Sequence, residues 1–481
     1  MAVRTGQDFL EGLRDGRDLW LEGEKVTDVT THPKLTGAAH GMAGWYDYVL
    51  EHADECIIED PVDGGPMNAA HMLPRSAADL DVRHRALERM ARYHVGMMGR
   101  SPDYVNVSFA GFAALAHLWA LDGNEAGAAN LVEFQREVAR RDLSLTHVIV
   151  HPTIDKSVPD TEAGGGEVAL HKVADTENGI IVRGARVLAT LAPFADEITV
   201  YPGQPIPKGA DAYALAFSIP MNTPGLKFIC RDSYSSSMPA VDRPFSSRFD
   251  EQDAFVVFDD VEVPSHRVFL DGSSHVYNMV MARGWVANIM QQTSIRAMVK
   301  FQFAYEMLNR MVTVLNGANP TTNQLLGEVW TYHQLVKSAV RAAEADSRDW
   351  GEGAWLCDDA PFVALRPTVP GWMVRTNEII RQLGSHNLLA VASSGEMADP
   401  ELRPYIDRYL TGAGDHDATE RMRVFRTAWD FAGTGLAGRT ELYERFYLAS
   451  APRMYQVAHF TAQRDHEWKL FDEFQEQIAP F

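Results

Sequence analysis

An α+β fold, helical at both ends with a β region between, is predicted by three observations on the chain. In the first part, Leu131, Phe134 and Val138 recur at spacings of three and four, the period of an amphipathic helix. From about residue 150 to 275 the pattern changes. Short runs rich in β-branched and aromatic residues, Ile180 to Val182, Ile198 to Tyr201, Tyr213 to Ile219 and Phe255 to Phe258, alternate with Gly, Pro and Asp turns. Beyond about 276, Met298, Phe301, Tyr305, Leu308, Val312 and Leu315 restore a three-four alternation suited to helix bundling. The expected division is a mainly helical N-terminal domain over 1–149, a central β barrel or sandwich over 150–275, and a C-terminal helical bundle with a tail over 276–481.

Within the first domain, Ser101-Pro102-Asp103 reads as a helix start: Ser caps, Pro suits the first helical position, and Asp favours the positive end of the dipole. Arg100 then lies just outside the helix and Tyr104 in its first turn. The helix containing Leu131 is expected to end around His147, since Pro152 blocks continuation. Two loops stand out in the β region, Asp160 to Glu167 with three consecutive glycines and the Gly/Pro-rich stretch from Gly203 to Ala210. Further helices are expected over roughly 322–349, 371–391 and 415–447. The apolar stripe from Met298 fits an intrachain core or a contact between copies.

The chain of 481 residues with 46% hydrophobic content can build a large core. A formal charge of −21 argues against nucleic acid and anionic membrane surfaces as partners, because both need clustered Lys and Arg. There is no apolar run of about 18 residues to span a membrane. Three scattered cysteines, Cys56, Cys230 and Cys357, give neither a disulfide framework nor a zinc site, and a reducing cytoplasm is the expected compartment. The 17 histidines form no metal-ligand spacing, so no metal is expected. Gly433-Thr434-Gly435-Leu436-Ala437-Gly438 matches a dinucleotide fingerprint by letters, but the residues before it have helical spacing and no βαβ unit follows.

The residues that carry chemistry are Met97-Met98-Gly99-Arg100-Ser101-Pro102-Asp103-Tyr104 and, downstream, Thr146-His147. A guanidinium, a phenolic hydroxyl and an imidazole could converge there on one oxygen atom. The plainer reading pairs Arg100 with a carboxylate, makes Tyr104 an ordinary half-buried aromatic, and leaves His147 to complement a helix dipole.

With these motifs the chain resembles the oxygenase component of the two-component, flavin-dependent 4-hydroxyphenylacetate 3-monooxygenase family. The resemblance continues in order through Ile181-Val182-Arg183-Gly184-Ala185-Arg186, Ala189-Thr190, Ala195-Asp196-Glu197, Asn222 to Leu226, Phe258 to Val261, Glu441 to Phe446 and Arg453-Met454-Tyr455-Gln456. It implies an acyl-CoA dehydrogenase-like fold, a homotetramer, and ortho-hydroxylation of a phenol by FADH2 and O2 through a C4a-hydroperoxyflavin. Arg100 would stabilise the phenolate, which otherwise forms only near pH 10. His147 would act as base or donor, and Tyr104 would orient the substrate. Flavin contacts carried over from the family fall on Thr153, Ile154, Asp155, Lys156, Thr190, Ser450 and Arg453, and the reduced flavin would come from a separate NAD(P)H-flavin reductase. Gly203-Gln204 stands where hydroxyphenylacetate enzymes carry a Ser-Thr pair for the substrate carboxylate, just before the segment that closes over substrate. Glycine there is expected to open space for a bulkier phenol than 4-hydroxyphenylacetate. Two rival readings are a flavin-dependent dehydratase or dehydrogenase of a CoA thioester, which needs an iron-sulfur cluster the three cysteines do not suit, and a non-catalytic flavin-binding protein, which predicts loss of residues that are all present.

Overall fold

The computed structural model describes residues 3–478. Its first part contains a hairpin, β1 (Leu19–Leu21) and β2 (Glu24–Val26), followed among others by the helices α1 (Ala77–Tyr93), α2 (Pro102–Ala114) and α3 (Glu125–Arg141). Pro102 occupies the start of α2 as expected, yet the Ser101 side chain makes no capping bond, and every residue of the helix is buried. An apolar, enclosed helix needs no amphipathic face, and its burial holds it in place.

Helix α3 buries Leu131, Phe134 and Val138 as the spacing predicts, but it ends earlier than His147. Asp142 takes a left-handed conformation, φ 47° and ψ 51°, and halts the helix. Its buried carboxylate lies 3.0 Å from His71 Nε2 and accepts from Asn68 Nδ2 at 3.3 Å, which fixes the turn. The chain then enters β3 (Leu145–His147), pairing in parallel with Glu197–Thr199. His147 is therefore a strand residue, and Pro152 plays no part in ending the helix.

The β region comprises β4 (His171–Asp175), β5 (Gly179–Thr190), β6 (Glu197–Val200), β7 (Leu215–Pro220), β8 (Leu226–Cys230), β9 (Asp253–Pro264) and β10 (Val268–Asp271). They form two open sheets among the described residues, with no closed barrel: β2-β1-β8-β9-β5-β4 and β10-β7-β6-β3. Phe217 of β7 meets Phe258 of β9 edge-on, ring centres 6.0 Å apart, and joins the two sheets through an apolar interior. Strand β1 extends the larger sheet by pairing in parallel with β8, Leu19 opposite Phe228, so the β region recruits the N-terminal hairpin.

The C-terminal part is built on α4 (Trp285–Val314), packed against α5 (Pro320–Ala345) and α6 (Ala360–Gly384), with α7 (Ala418–Ala432), α8 (Gly435–Phe446) and α9 (Ala451–Asp465) following. Helix α6 begins well before residue 371 and runs through Pro367 and Pro370. Each proline forfeits a backbone hydrogen bond, but Phe362, Leu365, Val369 and Met373 bury the same face and outweigh that loss. The single helix expected over 415–447 is two, α7 and α8, because Thr434 starts a new helix by accepting from Ala437 N–H.

One buried ion cluster fastens α8 to α4. Glu444, 1% exposed, accepts from Arg296 Nη1 at 2.8 Å and Nη2 at 3.0 Å, and from Lys300 Nζ at 2.8 Å. Burial opposes its ionisation, but the two cations prevail and hold its carboxyl down at about 2, against 4.5 ordinarily. The folded value lies below the unfolded one, so this contribution to stability is complete above about pH 4.5 and is lost as pH falls towards 2. Glu444→Gln strands two buried cations and is expected to lower unfolding free energy by about 3–5 kcal/mol in denaturant titration at pH 7. The same variant should flatten the acid dependence of stability below pH 4.5.

Candidate active site around Arg100

Arg100, Tyr104 and His147 are brought together by three different elements: the turn before α2, the first turn of α2, and β3. All three are buried, at 7%, 4% and 6% exposure. The Arg100 guanidinium lies over the Tyr104 ring, 3.9 Å from its centre. The Tyr104 and His147 rings are 5.6 Å apart, and the Tyr201 ring lies 5.5 Å from the imidazole. These aromatic faces suit a cation, because their negative quadrupole replaces part of the lost hydration.

Arg100 has no carboxylate partner for its side chain among the described residues. Its Nη1 donates to the Tyr443 hydroxyl at 2.5 Å and to the Gly99 carbonyl at 3.3 Å. Nε and Nη2 have no hydrogen-bond partner among the described residues. Glu251 is turned to other work: its Oε1 accepts the Arg100 main-chain N–H at 2.5 Å, while Oε2 pairs with Arg439 at 2.6 Å. Burial opposes the guanidinium's charge, but Tyr104, Tyr443, Tyr201 and Glu251 raise its pKa above the usual value, so it stays protonated. The ion-pair reading of Arg100 is thereby excluded.

His147 makes no side-chain hydrogen bond among the described residues. Burial, and then the Arg100 charge, hold its pKa well below the ordinary imidazole value. It is neutral at physiological pH and can accept a proton or a hydrogen bond from a phenol. A phenolate formed beside it would in turn favour the imidazolium. The Tyr104 hydroxyl is likewise unengaged among the described residues. A cation, a phenol ring and a neutral imidazole are thus stacked within a few ångströms of one another, a set that can bind and ionise a hydroxyl.

The flavin contacts implied by resemblance divide into groups. Thr153, Ile154, Asp155 and Lys156 form an exposed turn, pinned by Ser157 N–H and Oγ donating to Asp155 Oδ1. A cavity of about 550 Å³ separates this turn from the 204–207 loop, with Thr153, Lys156 and Gln204 on its walls beside the buried His151. Thr190 is engaged elsewhere, its hydroxyl donating to Asp253 Oδ1 at 2.6 Å. Ser450 starts α9 without capping it, and Arg453 is exposed one turn on. Near Arg453 lies Arg366, whose Nε is buried without a partner and whose pKa burial and then Arg453 push down to about 10. Two guanidiniums without a carboxylate partner among the described residues suit an anionic group such as a phosphate.

Gly203 does not open a space. A Cβ at that position would fall 2.8 Å from the Ile149 carbonyl oxygen and 2.9 Å from Ile149 Cβ, so glycine lets the loop press against the chain leading from β3. The loop is fixed there by Asn278, whose side chain accepts from Ile206 N–H at 2.9 Å and donates to its carbonyl at 3.0 Å. Sequence reasoning missed Tyr443, Tyr201, Glu251 and Arg366. Tyr443 lies 343 positions from Arg100, and no local pattern could have linked them.

Among known proteins, residues 5–270 match the family model described as 4-hydroxyphenylacetate 3-hydroxylase N terminal, and residues 276–476 match its C-terminal counterpart. The chain is 33% identical over 478 residues to a 4-hydroxyphenylacetate 3-monooxygenase oxygenase component of Geobacillus sp. (strain PA-9), covering 98% of this chain and 96% of that one. It is 34% identical to a Streptomyces globisporus monooxygenase of a (3S)-3-amino-3-(3-chloro-4-hydroxyphenyl)propanoyl group on a peptidyl-carrier protein, covering 92% of this chain and 84% of the relative. A solved 4-hydroxyphenylacetate 3-monooxygenase oxygenase component, complexed with FAD and 4-hydroxyphenylacetate, superposes with a TM-score of 0.91 at 31% identity over 98% of both chains. The chain therefore belongs to the 4-hydroxyphenylacetate 3-hydroxylase family, the oxygenase components of two-component flavin-dependent aromatic monooxygenases.

Proposed function

We propose that this protein hydroxylates a phenol ortho to its oxygen, holding the substrate as phenolate against Arg100. The observation that carries the reading is a buried guanidinium that, among the described residues, has no carboxylate partner and two free donor nitrogens, beside Tyr104 and His147. Reduced FAD, delivered by a separate reductase, supplies with O2 the electrophilic oxygen that the phenolate ring attacks. Arg100 lowers the pKa of the bound phenol, neutral His147 accepts its proton, and the Tyr104 hydroxyl donates to the same oxygen. Thr153 and Lys156 would hold the flavin at the cavity beneath the 204–207 loop, with Arg366 and Arg453 toward its phosphates. The loop limits water entry from that side.

The substrate class follows from what the site lacks. Gly203-Gln204 offers no hydroxyl pair for a short carboxylate, and Gly203 is closed against Ile149. We infer a phenol whose tail is not plain acetate, either free or carried on a larger group. The exposed Phe460, Trp468, Leu470, Phe471 and Phe474 of the C-terminal segment support a homotetramer. Three buried, unpaired cysteines suit a reducing compartment.

With an independent flavin reductase, the best substrate in a phenol panel is expected to exceed 4-hydroxyphenylacetate in kcat/KM; a wide preference for 4-hydroxyphenylacetate sinks the substrate class. Arg100→Met should bind FAD normally, consume O2 with peroxide release, and lose product formation by about 100-fold or more. Its residual activity should need higher pH, because loss of the cation raises the bound phenol's pKa. Gly203→Ser is expected to lower the melting temperature and turnover of all phenols without shifting preference to 4-hydroxyphenylacetate, as measured by calorimetry and the same panel. Light scattering should give a mass of four 53.5 kDa chains; a single-chain mass refutes the tetramer.

A further inference from the structure

A guanidinium on a flexible stem can present its donors in many directions, and a phenolate is stabilised only by those that face it. At Arg100 one direction is already used. Nη1 donates to Tyr443 Oη at 2.5 Å, the Tyr443 hydroxyl donates to the Gly99 carbonyl at 3.1 Å, and the same carbonyl accepts from Nη1 at 3.3 Å. The three groups close a ring that holds one side of the guanidinium. Residue 99 must be glycine for the ring to form, since a Cβ there would fall 2.2 Å from Tyr443 Cε1 and Cζ.

Tyr443 is itself immobilised from both sides along α8. One turn before it, Arg439 is tied to Glu251 at 2.6 Å and Asp253 at 2.7 Å; the next residue, Glu444, is tied to Arg296 and Lys300 at 2.8 Å. Its ring stacks on Tyr447, 4.7 Å away and 17° from parallel. A carboxylate in the same place would grip Arg100 more strongly but would cancel its charge. A hydroxyl fixes direction and leaves the charge for the ligand. Burial keeps this hydroxyl un-ionised by pushing its pKa well above the ordinary phenol value.

We propose that Tyr443 is a positioning residue for the reaction, holding Nη1 of Arg100 so that Nε and Nη2 face the substrate oxygen. The proposal rests on the phenolate reading of Arg100 and assigns to the C-terminal bundle a part in tuning the substrate's ionisation.

The test is a spectrophotometric pH titration of 4-nitrophenol bound to the full-length protein, read at the phenolate band, for wild type, Arg100→Met, Tyr443→Phe and Tyr443→Glu. Wild type should bind the phenol with its pKa below the free value, and Arg100→Met should abolish that shift. Tyr443→Phe keeps the ring and its stacking. It should reduce the bound phenol's acid dissociation constant about three- to tenfold while FAD affinity and melting temperature hold. Tyr443→Glu should abolish the shift as fully as Arg100→Met, because the carboxylate neutralises the guanidinium. A Tyr443→Phe titration superimposable on wild type, with Arg100→Met clearly displaced, overturns the role of Tyr443. Equal curves for wild type and Arg100→Met overturn the phenolate reading itself.

Discussion

The site depends on a positive charge kept inside the protein without a counter-ion. Burying a guanidinium away from water is costly unless hydrogen bonds and local charge compensate. Here the compensation is partial by construction. The Tyr104 face at 3.9 Å and the Tyr443 hydroxyl at 2.5 Å make the charge tolerable without cancelling it. Glu251, whose charge acts on Arg100, is occupied by Arg439 and by the main-chain N–H of Arg100. The remaining electrostatic deficit is available to a ligand that arrives able to become an anion. Such preorganisation requires little rearrangement when the charge develops.

The surrounding ion pairs serve that arrangement. Asp253 joins Arg439 and Arg231 to the larger sheet, and Glu444 joins α8 to α4. Helix α8 is thus held by charges on both sides of Tyr443, while the turn before α2 that carries Arg100 is held by Glu251. Each of these carboxylates has two or more partners, which fixes direction as well as energy.

Much of this was legible in the chain. Periodicity gave the order of helical, β and helical regions, and the Met97-to-Tyr104 and Thr146-His147 motifs pick out three residues that the fold brings together. Local signals failed where long-range packing decided the outcome. The end of α3 was misplaced because Asp142 stops the helix only when His71 and Asn68 surround its carboxylate. Helix α6 starts at Ala360, well before residue 371, because its buried apolar face carries it through Pro367 and Pro370. Gly203 suggested room by its missing side chain, whereas the missing atoms are what allow the loop to touch Ile149. Arg366 and Glu251 carry no signature until the fold places them, and Tyr443, though within the Glu441-to-Phe446 motif, gives no local sign that it reaches Arg100.

The left-handed turn at Asp142 has a further consequence for how this chain can vary. From that turn to His147 the backbone passes directly into an extended strand, where successive side chains face opposite ways. Length changes in the glycine-rich stretch near residue 164 are absorbed at the surface, but a single residue gained or lost between 143 and 146 would swing the imidazole to the far side of its sheet. The interval from turn to histidine is a ruler, and evolution can repaint its marks more easily than alter its length.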